Sequence, residues 1–146
     1  SGQFDRTEAW KGVERHFGSI PRGESLQEIG APPASGLLPS RVFHREPVAL
    51  GRLDLIWPGT IRCHPDEPAL DLASQILGGG KDSRLRRRLE RQEQLAHSVD
   101  AYHATMKLAG HLGIRVYALP GASLEQIEAV VTEVLEDFLR HPPTQD

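Results

Sequence analysis

The stretch Ile76-Leu77-Gly78-Gly79-Gly80-Lys81-Asp82-Ser83-Arg84-Leu85, continuing through Arg86-Arg87-Arg88-Leu89 to Glu93-Gln94-Leu95-Ala96-His97-Ser98-Val99, constrains the fold more than any other part of the chain. Three successive glycines end an apolar helix, because glycine loses the most backbone freedom when held helical. Ser83 then offers an oxygen to the unpaired N–H groups of a second helix. Arg84, Arg87, Arg88 and Arg91 of that helix share one face at spacings of three and four, opposite Leu85 and Leu89. A strand-like run follows. Few families carry that order of parts with those residues.

The rest of the chain supplies partners for this unit. Asp5-x-x-Glu8 opens a helix in capping-box fashion, with Ala9, Val13 and Phe17 at helical spacing, Trp10 beside them and Gly18 closing it. The segment from Ile20 to Pro39 is rich in proline and glycine and reads as an extended connector. Arg41–Glu46 and Ala49–Trp57 are strand candidates, the second ended by Pro58-Gly59; Leu53, Leu55 and Trp57 alternate with Asp54 and Ile56. Asp66 begins a short helix with Pro68 early, an apolar face of Leu70, Ala73, Ile76 and Leu77, and a stop at Gly78. His97–Lys107 and Leu112–Ala118 read as a hairpin, with Leu112, Ile114 and Val116 on one side and Arg115 and Tyr117 on the other.

Ser123-x-x-Gln126 caps a last helix whose buried stripe is Ile127, Val130, Val131, Val134, Leu135 and Phe138, with Glu125, Glu128, Glu133 and Glu136 facing water. Burying six such side chains is worth on the order of 10 kcal/mol gross, much of it offset by chain entropy, so this helix must dock on a sheet. Strands in adjacent pairs predict an α+β fold: an antiparallel sheet of about four strands, with helices packed mainly on one face. At 146 residues the chain suits one such module. It opens almost directly on a helix cap and closes on Pro142-Pro143-Thr144-Gln145-Asp146, where Thr144 resembles the start of another capping box; the reading is a piece of a longer protein.

Several chemistries are excluded or unsupported. A phosphate-binding loop needs Gly, four residues, then Gly-Lys-Ser/Thr; here Gln75 stands at the first position and Asp82 at the last, where a carboxylate repels the nucleotide. None of the seven histidines has a ligand-type residue four positions on, and the single cysteine excludes an internal disulfide and a cysteine-rich zinc site. There is no Gly-x-Ser-x-Gly elbow. The net charge of -3, with Glu90 and Glu93 interrupting the arginines, gives no overall attraction to nucleic acid. No run of 18 apolar residues forms a membrane span. The glycine turn itself reads either as a helix stop and flexible link or as a loop lining a binding surface.

Taken together, these residues resemble the pitrilysin/insulinase zinc metallopeptidases, which include the mitochondrial processing peptidases. Gly2-Gln3-Phe4-Asp5 with Val13-Glu14-Arg15-His16-Phe17-Gly18-Ser19-Ile20-Pro21-Arg22-Gly23 looks like the entry into that family's non-metal-binding segment. Trp57-Pro58-Gly59 and Leu77 through Leu85 are similar to its later landmarks. The resemblance implies a clam-shell peptidase built from α+β modules around a chamber, with zinc held elsewhere in the parent by an inverted His-x-x-Glu-His motif that this chain lacks. It implies no catalytic or metal-binding residue here, and partners among the other modules of the parent, a partner subunit and peptide substrate. The family's noncatalytic half supplies an Arg and a Tyr to substrate; Glu90 and His97 stand at the best-aligned positions, so that pair is not carried over. The glycine-rich turn resembles a substrate-contacting segment, which makes Gly78, Gly79, Gly80, Lys81, Ser83 and Arg84 the candidate peptide contacts. A noncatalytic scaffold or assembly subunit of the same fold is the alternative, and a nucleic-acid-binding module on the arginine helix a third reading.

Overall fold

The computed structural model describes residues 2–25, 27, 30 and 39–143. Much of the expected connector, and Thr144, lie outside the described residues. Two compact units are present, Ser1–Gly30 and Ala31–Asp146. The first holds helix α1, Arg6–Phe17. Its start is set by Asp5, whose Oδ1 accepts from the backbone N–H of Thr7 at 2.8 Å and of Glu8 at 2.9 Å, pairing two donors that have no partner within the helix.

The second unit is a three-stranded antiparallel sheet with helices on one of its faces. The strands are β1, Arg52–Gly59; β2, Ala96–Thr105; and β3, Gly110–Ala118, in the order β1-β3-β2. Helix α2 spans Glu67–Ser74 and passes into a π-helical turn, Gln75–Gly79. Helix α3 spans Arg84–Arg86 and likewise passes into a π-helical stretch, Arg87–Gln92. Helix α4, Leu124–Arg140, closes the unit.

Register assigns every side chain of the sheet to a face. Val99, Ala101 and His103 stand opposite Val116, Ile114 and Leu112, while Leu53 and Leu55 oppose Val116 and Ile114 from the other side. This face carries the core: Val99, Ala101, Ile114 and Val116 meet Leu77, Leu85 and Leu89 from the helical turns and Ile127, Val130, Val131 and Val134 from α4. Leu135 and Phe138, the last members of the expected α4 stripe, are partly buried against the same cluster. The opposite face is polar and aromatic. Tyr102 lies over Gly113, where a Cβ would come within 2.4 Å of the ring. The Arg115 guanidinium sits 5.7 Å from the Tyr102 ring centroid and donates to Asp54 at 2.8 Å, which raises its already high pKa.

Two expectations need revision. The sheet has three strands among the described residues, because Arg41–Glu46 pairs with no other strand and its side chains are exposed. β-propensity measures fit to a neighbour rather than an intrinsic preference. Here the Arg41 guanidinium instead bonds Glu128 of α4 and lies 5.8 Å from the Phe43 ring centroid. Nor does Gly78 stop α2. The chain stays helical through Gly79 and leaves only at Gly80, whose φ of -107° and ψ of 163° are extended.

The reason for a glycine at 78 is close approach. A Cβ there would lie 2.4 Å from Ala101 N and 2.7 Å from Ala101 Cβ, so the turn presses directly on the β2 backbone. Gly78→Ala is therefore expected to destabilise the protein by about 1–3 kcal/mol, whereas Gly80→Ala, with nothing within 4 Å of its Cβ position, should stay within about 0.5 kcal/mol of the parent; denaturant unfolding of both variants checks the contrast. A second expectation concerns α4. Ser123 Oγ accepts from Gln126 N at 3.2 Å and donates to the Glu125 carboxylate at 2.7 Å, and this bond, with a backbone N–H, holds the Glu125 pKa below its ordinary value. A depressed carboxylate pKa contributes stability above the unfolded pKa that is lost as pH falls through the folded one. Glu125→Gln should remove that part of the acid dependence, read from unfolding midpoints on either side of the ordinary carboxylate range.

Candidate functional site

The glycine turn, α3 and the facing side of α4 form the candidate site. Gly78 is buried against β2, so it supports the turn and offers nothing to a ligand. Gly79 and Gly80 are exposed, and Gly80 has open space where a side chain would project. Lys81 is exposed too, with its carbonyl accepting from Arg91 at 2.8 Å. Arg91 also pairs with the Asp82 carboxylate at 2.8 Å, so one guanidinium holds the Lys81 carbonyl and the Asp82 side chain together. Gly80 and Lys81 thus present an exposed stretch of backbone, held on one side by the packing of Gly78 on β2 and on the other by Arg91, while Gly79 lies against the Gln75 side chain.

Ser83 departs from the expected cap. Its backbone takes the cap position, and its carbonyl accepts from Arg87 N at 3.0 Å, but its side chain makes no capping bond. The residue is 6% exposed and its Oγ is buried without a hydrogen-bond partner. An unpaired buried hydroxyl costs free energy rather than supplying it. Ser83→Ala is accordingly expected to leave stability unchanged or raise it, whereas a true cap would lose about 1 kcal/mol; thermal or denaturant unfolding separates the two.

The arginine face is largely neutralised. Arg84 reaches Asp137 at 3.2 Å and the His141 carbonyl at 3.0 Å, with its guanidinium 5.2 Å from the Phe138 ring centroid. Arg88 lies 3.1 Å from Glu93 and 3.4 Å from Glu133. A cleft of about 310 Å³ runs between α3 and α4, with Arg84, Arg87 and Arg88 on one wall and Glu133 and Asp137 on the other. The four arginines do not present one free basic stripe, because the π-helical stretch changes the turn after Arg86 and points Arg91 back to the glycine turn. Phosphate contacts would have to displace these carboxylates, which counts against the nucleic-acid reading.

Arg86 and Glu90 have a role that the sequence reading missed. The Arg86 Nε donates to the Val99 carbonyl at 3.1 Å, and the Glu90 carboxylate accepts from Val99 N–H at 3.0 Å. Their side chains thereby occupy both main-chain groups of Val99 on the outer margin of β2. Glu90, one of the two positions at which a substrate-binding pair was sought, is committed to this structural contact. His97, the other, is exposed.

A polar clamp at the far end of the sheet was also unforeseen. The His103 side chain is 0% exposed; its Nδ1 lies 2.9 Å from the Asp71 carboxylate and its Nε2 3.3 Å from Thr60 Oγ1. Two residues along β2, Thr105 Oγ1 donates to Glu67 at 2.8 Å. Glu67 and Asp71, four apart on α2, thus engage Thr105 and His103, two apart on β2. That matched spacing was the available signal, but it carries meaning only once α2 is known to cross β2. Burial of His103 keeps the clamp from serving a substrate. Among the described residues no group of three or more His, Cys, Asp or Glu side chains could hold a metal ion, so this donor set does not fit a zinc site. No helix among the described residues is long and apolar enough to cross a membrane.

Comparison with known proteins places this arrangement. The family model described as "Peptidase M16 inactive domain" matches residues 1–146, and the chain belongs to that family. Among solved structures it is similar to a protease from Helicobacter pylori, at 21% identity and TM-score 0.80, over 99% of this chain and 35% of that one. It is similar also to the peptidase M16 inactive domain from Pseudomonas fluorescens, at 26% identity and TM-score 0.77, over 97% of this chain and 34% of that one. A candidate zinc protease from Bordetella pertussis Tohama I aligns at 26% identity and TM-score 0.60, over 68% of this chain and 55% of its own. The chain therefore spans about a third of the length of the first two. No curated protein matches significantly. The metallopeptidase resemblance stands, and with it the reading as a noncatalytic module.

Proposed function

We propose that this chain serves as the noncatalytic C-terminal module of a pitrilysin-type zinc peptidase and forms part of the wall that holds the peptide. The family match along residues 1–146 carries the reading. Zinc and the catalytic groups belong to other parts of the parent, since the donor set described above does not fit a metal. Peptide is met at Gly80 and Lys81, where the backbone is exposed and the Lys81 carbonyl is held by Arg91, with Gly79 beside them under the Gln75 side chain; Gly78 packs on β2, Ser83 is buried and Arg84 is engaged with Asp137 and the His141 carbonyl. The other modules of the parent, or a partner subunit, complete the chamber. One observation favours the scaffold alternative: the Glu90 carboxylate is bound to the Val99 backbone and leaves no substrate-binding group at that position.

The 146-residue chain alone is expected to bind no zinc and to cleave no peptide, whereas the full-length protein should hold one zinc per chain by metal analysis. A zinc held tightly by the isolated chain overturns the reading; a parent without the inverted zinc motif in any module assigns the scaffold role. In an active parent, Gly80→Val should raise the KM for peptide by about tenfold with kcat little changed, measured beside an unfolding curve that remains within about 0.5 kcal/mol of wild type.

A further inference from the structure

The cleft between α4 and the helical run that starts at Arg84 holds one cation that nothing else in it uses. Its volume is about 310 Å³, with Arg84, Arg87, Arg88 and Gln92 on one side and Glu133 and Asp137 on the other. Four arginines of this run are committed. Arg84 pairs with Asp137, Arg86 with Glu90, Arg88 with Glu93 and Glu133, and Arg91 with Asp82. Those pairs engage every carboxylate of the segment 81–93 and both that line the cleft from α4. Among the described residues Lys81 and Arg87 are the cations of the segment left outside any ion pair, and of the two only Arg87 lines the cleft. Arg87 is exposed, in a chain whose net charge is -3, so its guanidinium is a local reversal of sign.

We infer that this cleft receives an acidic side chain, Asp or Glu, from a peptide segment of a partner, with Arg87 as its anchor. The inference stands apart from the peptidase reading and needs no other module of a parent protein. A guanidinium presents paired N–H donors in one plane, which match the two oxygens of a carboxylate. Gln92, on the same side of the cleft, brings an amide that bonds the ligand without adding charge. Size points to a single side chain, since 310 Å³ stands at the lower end of the volumes that hold a small molecule. Valence selects carboxylate over phosphate: Glu133 and Asp137 repel a doubly charged phosphate about twice as strongly as a carboxylate. Because those two residues are themselves held by Arg88 and Arg84, a single negative charge at Arg87 displaces neither pair.

The test is a nuclear magnetic resonance titration of the nitrogen-15-labelled 146-residue chain, read from the Arg87 Nε–H signal and the amides of Arg88 and Val134. The probes are acetylated and amidated Gly-Glu-Gly, Gly-Asp-Gly and Gly-Gln-Gly, acetyl-Gly-Gly-Gly with a free chain end, and inorganic phosphate. Both acidic peptides should give saturable shifts with a Kd on the order of 1 mM, as suits a ligand held by one exposed charged contact, and the Gln peptide none. Arg87→Gln should abolish the amide shifts, and Arg87→Lys, which keeps the charge and loses the fork, should weaken binding about threefold or more. Lys81→Gln should leave the titration unchanged. Spectra of each variant without peptide, superimposable on the parent away from the cleft, separate lost binding from lost folding. Absence of a saturable shift with both acidic peptides overturns the inference, as does a shift that survives in Arg87→Gln. Tighter binding of phosphate or of the free chain end also overturns it, by giving the cleft to another anion, and loss of binding in Lys81→Gln does so by moving the peptide to the glycine turn.

Discussion

The contact of Gly78 with Ala101 governs the rest of the second unit. Because residue 78 has no Cβ, a helical turn can rest on the main chain of β2 rather than on its side chains. That closeness brings Leu77 into the core and sets the direction in which the chain leaves at Gly80. It thereby decides where α3 begins and that Leu85 and Leu89, both 0% exposed, meet the same cluster as α4. Glu67 and Asp71 reach Thr105 and His103 only because α2 crosses β2 at this height. The three glycines are thus unequal. The first is a packing requirement, the second lies against the Gln75 side chain, and the third has open space beside it.

What could be read from sequence was local or periodic. The α4 stripe is intact because six apolar residues at helical spacing admit one burial pattern, and its cap is the serine that side-chain chemistry favours. The hairpin followed from alternation: Ile114 and Val116 are buried while Arg115 and Tyr117 are turned away. Asp5 capped α1 as its position dictates. What escaped was decided by distant parts of the chain. A π-helical turn uses the same residue types as an α-helix and differs only in which carbonyl each N–H finds, so Gln75–Gly79 and Arg87–Gln92 left no mark in the periodicity. Arg41–Glu46 has a strand's composition, but pairing is a property of two segments. Ser83 was read correctly as a helix start and incorrectly as a side-chain cap, because the backbone position does not determine where Oγ points.

The candidate site was legible as a location more than as chemistry. Its residues lie together because they are contiguous, and the turn they form is well braced by Arg91. The basic helix illustrates the risk of judging charge from spacing alone. Arg84 and Arg88 meet carboxylates of α4 or of their own helix, and Arg91 meets Asp82, so three of the four arginines of an apparently cationic stripe are internal crosslinks. Each exposed pair is individually weak. Together they orient α3 against α4 over a cleft with Arg84, Arg87 and Arg88 on one wall and Glu133 and Asp137 on the other.

The side chains of Arg86 and Glu90 take the place of a neighbouring strand at Val99, one donating and one accepting. A sheet edge normally advertises unpaired main-chain groups to any extended segment nearby. Here one margin is sealed at Val99 by a guanidinium and a carboxylate, whereas β1, at the other margin, is joined to a strand on only one of its sides among the described residues. The two main-chain groups that a strand laid outside β2 would need at Val99 are thus already taken, and that margin resists extension at this point.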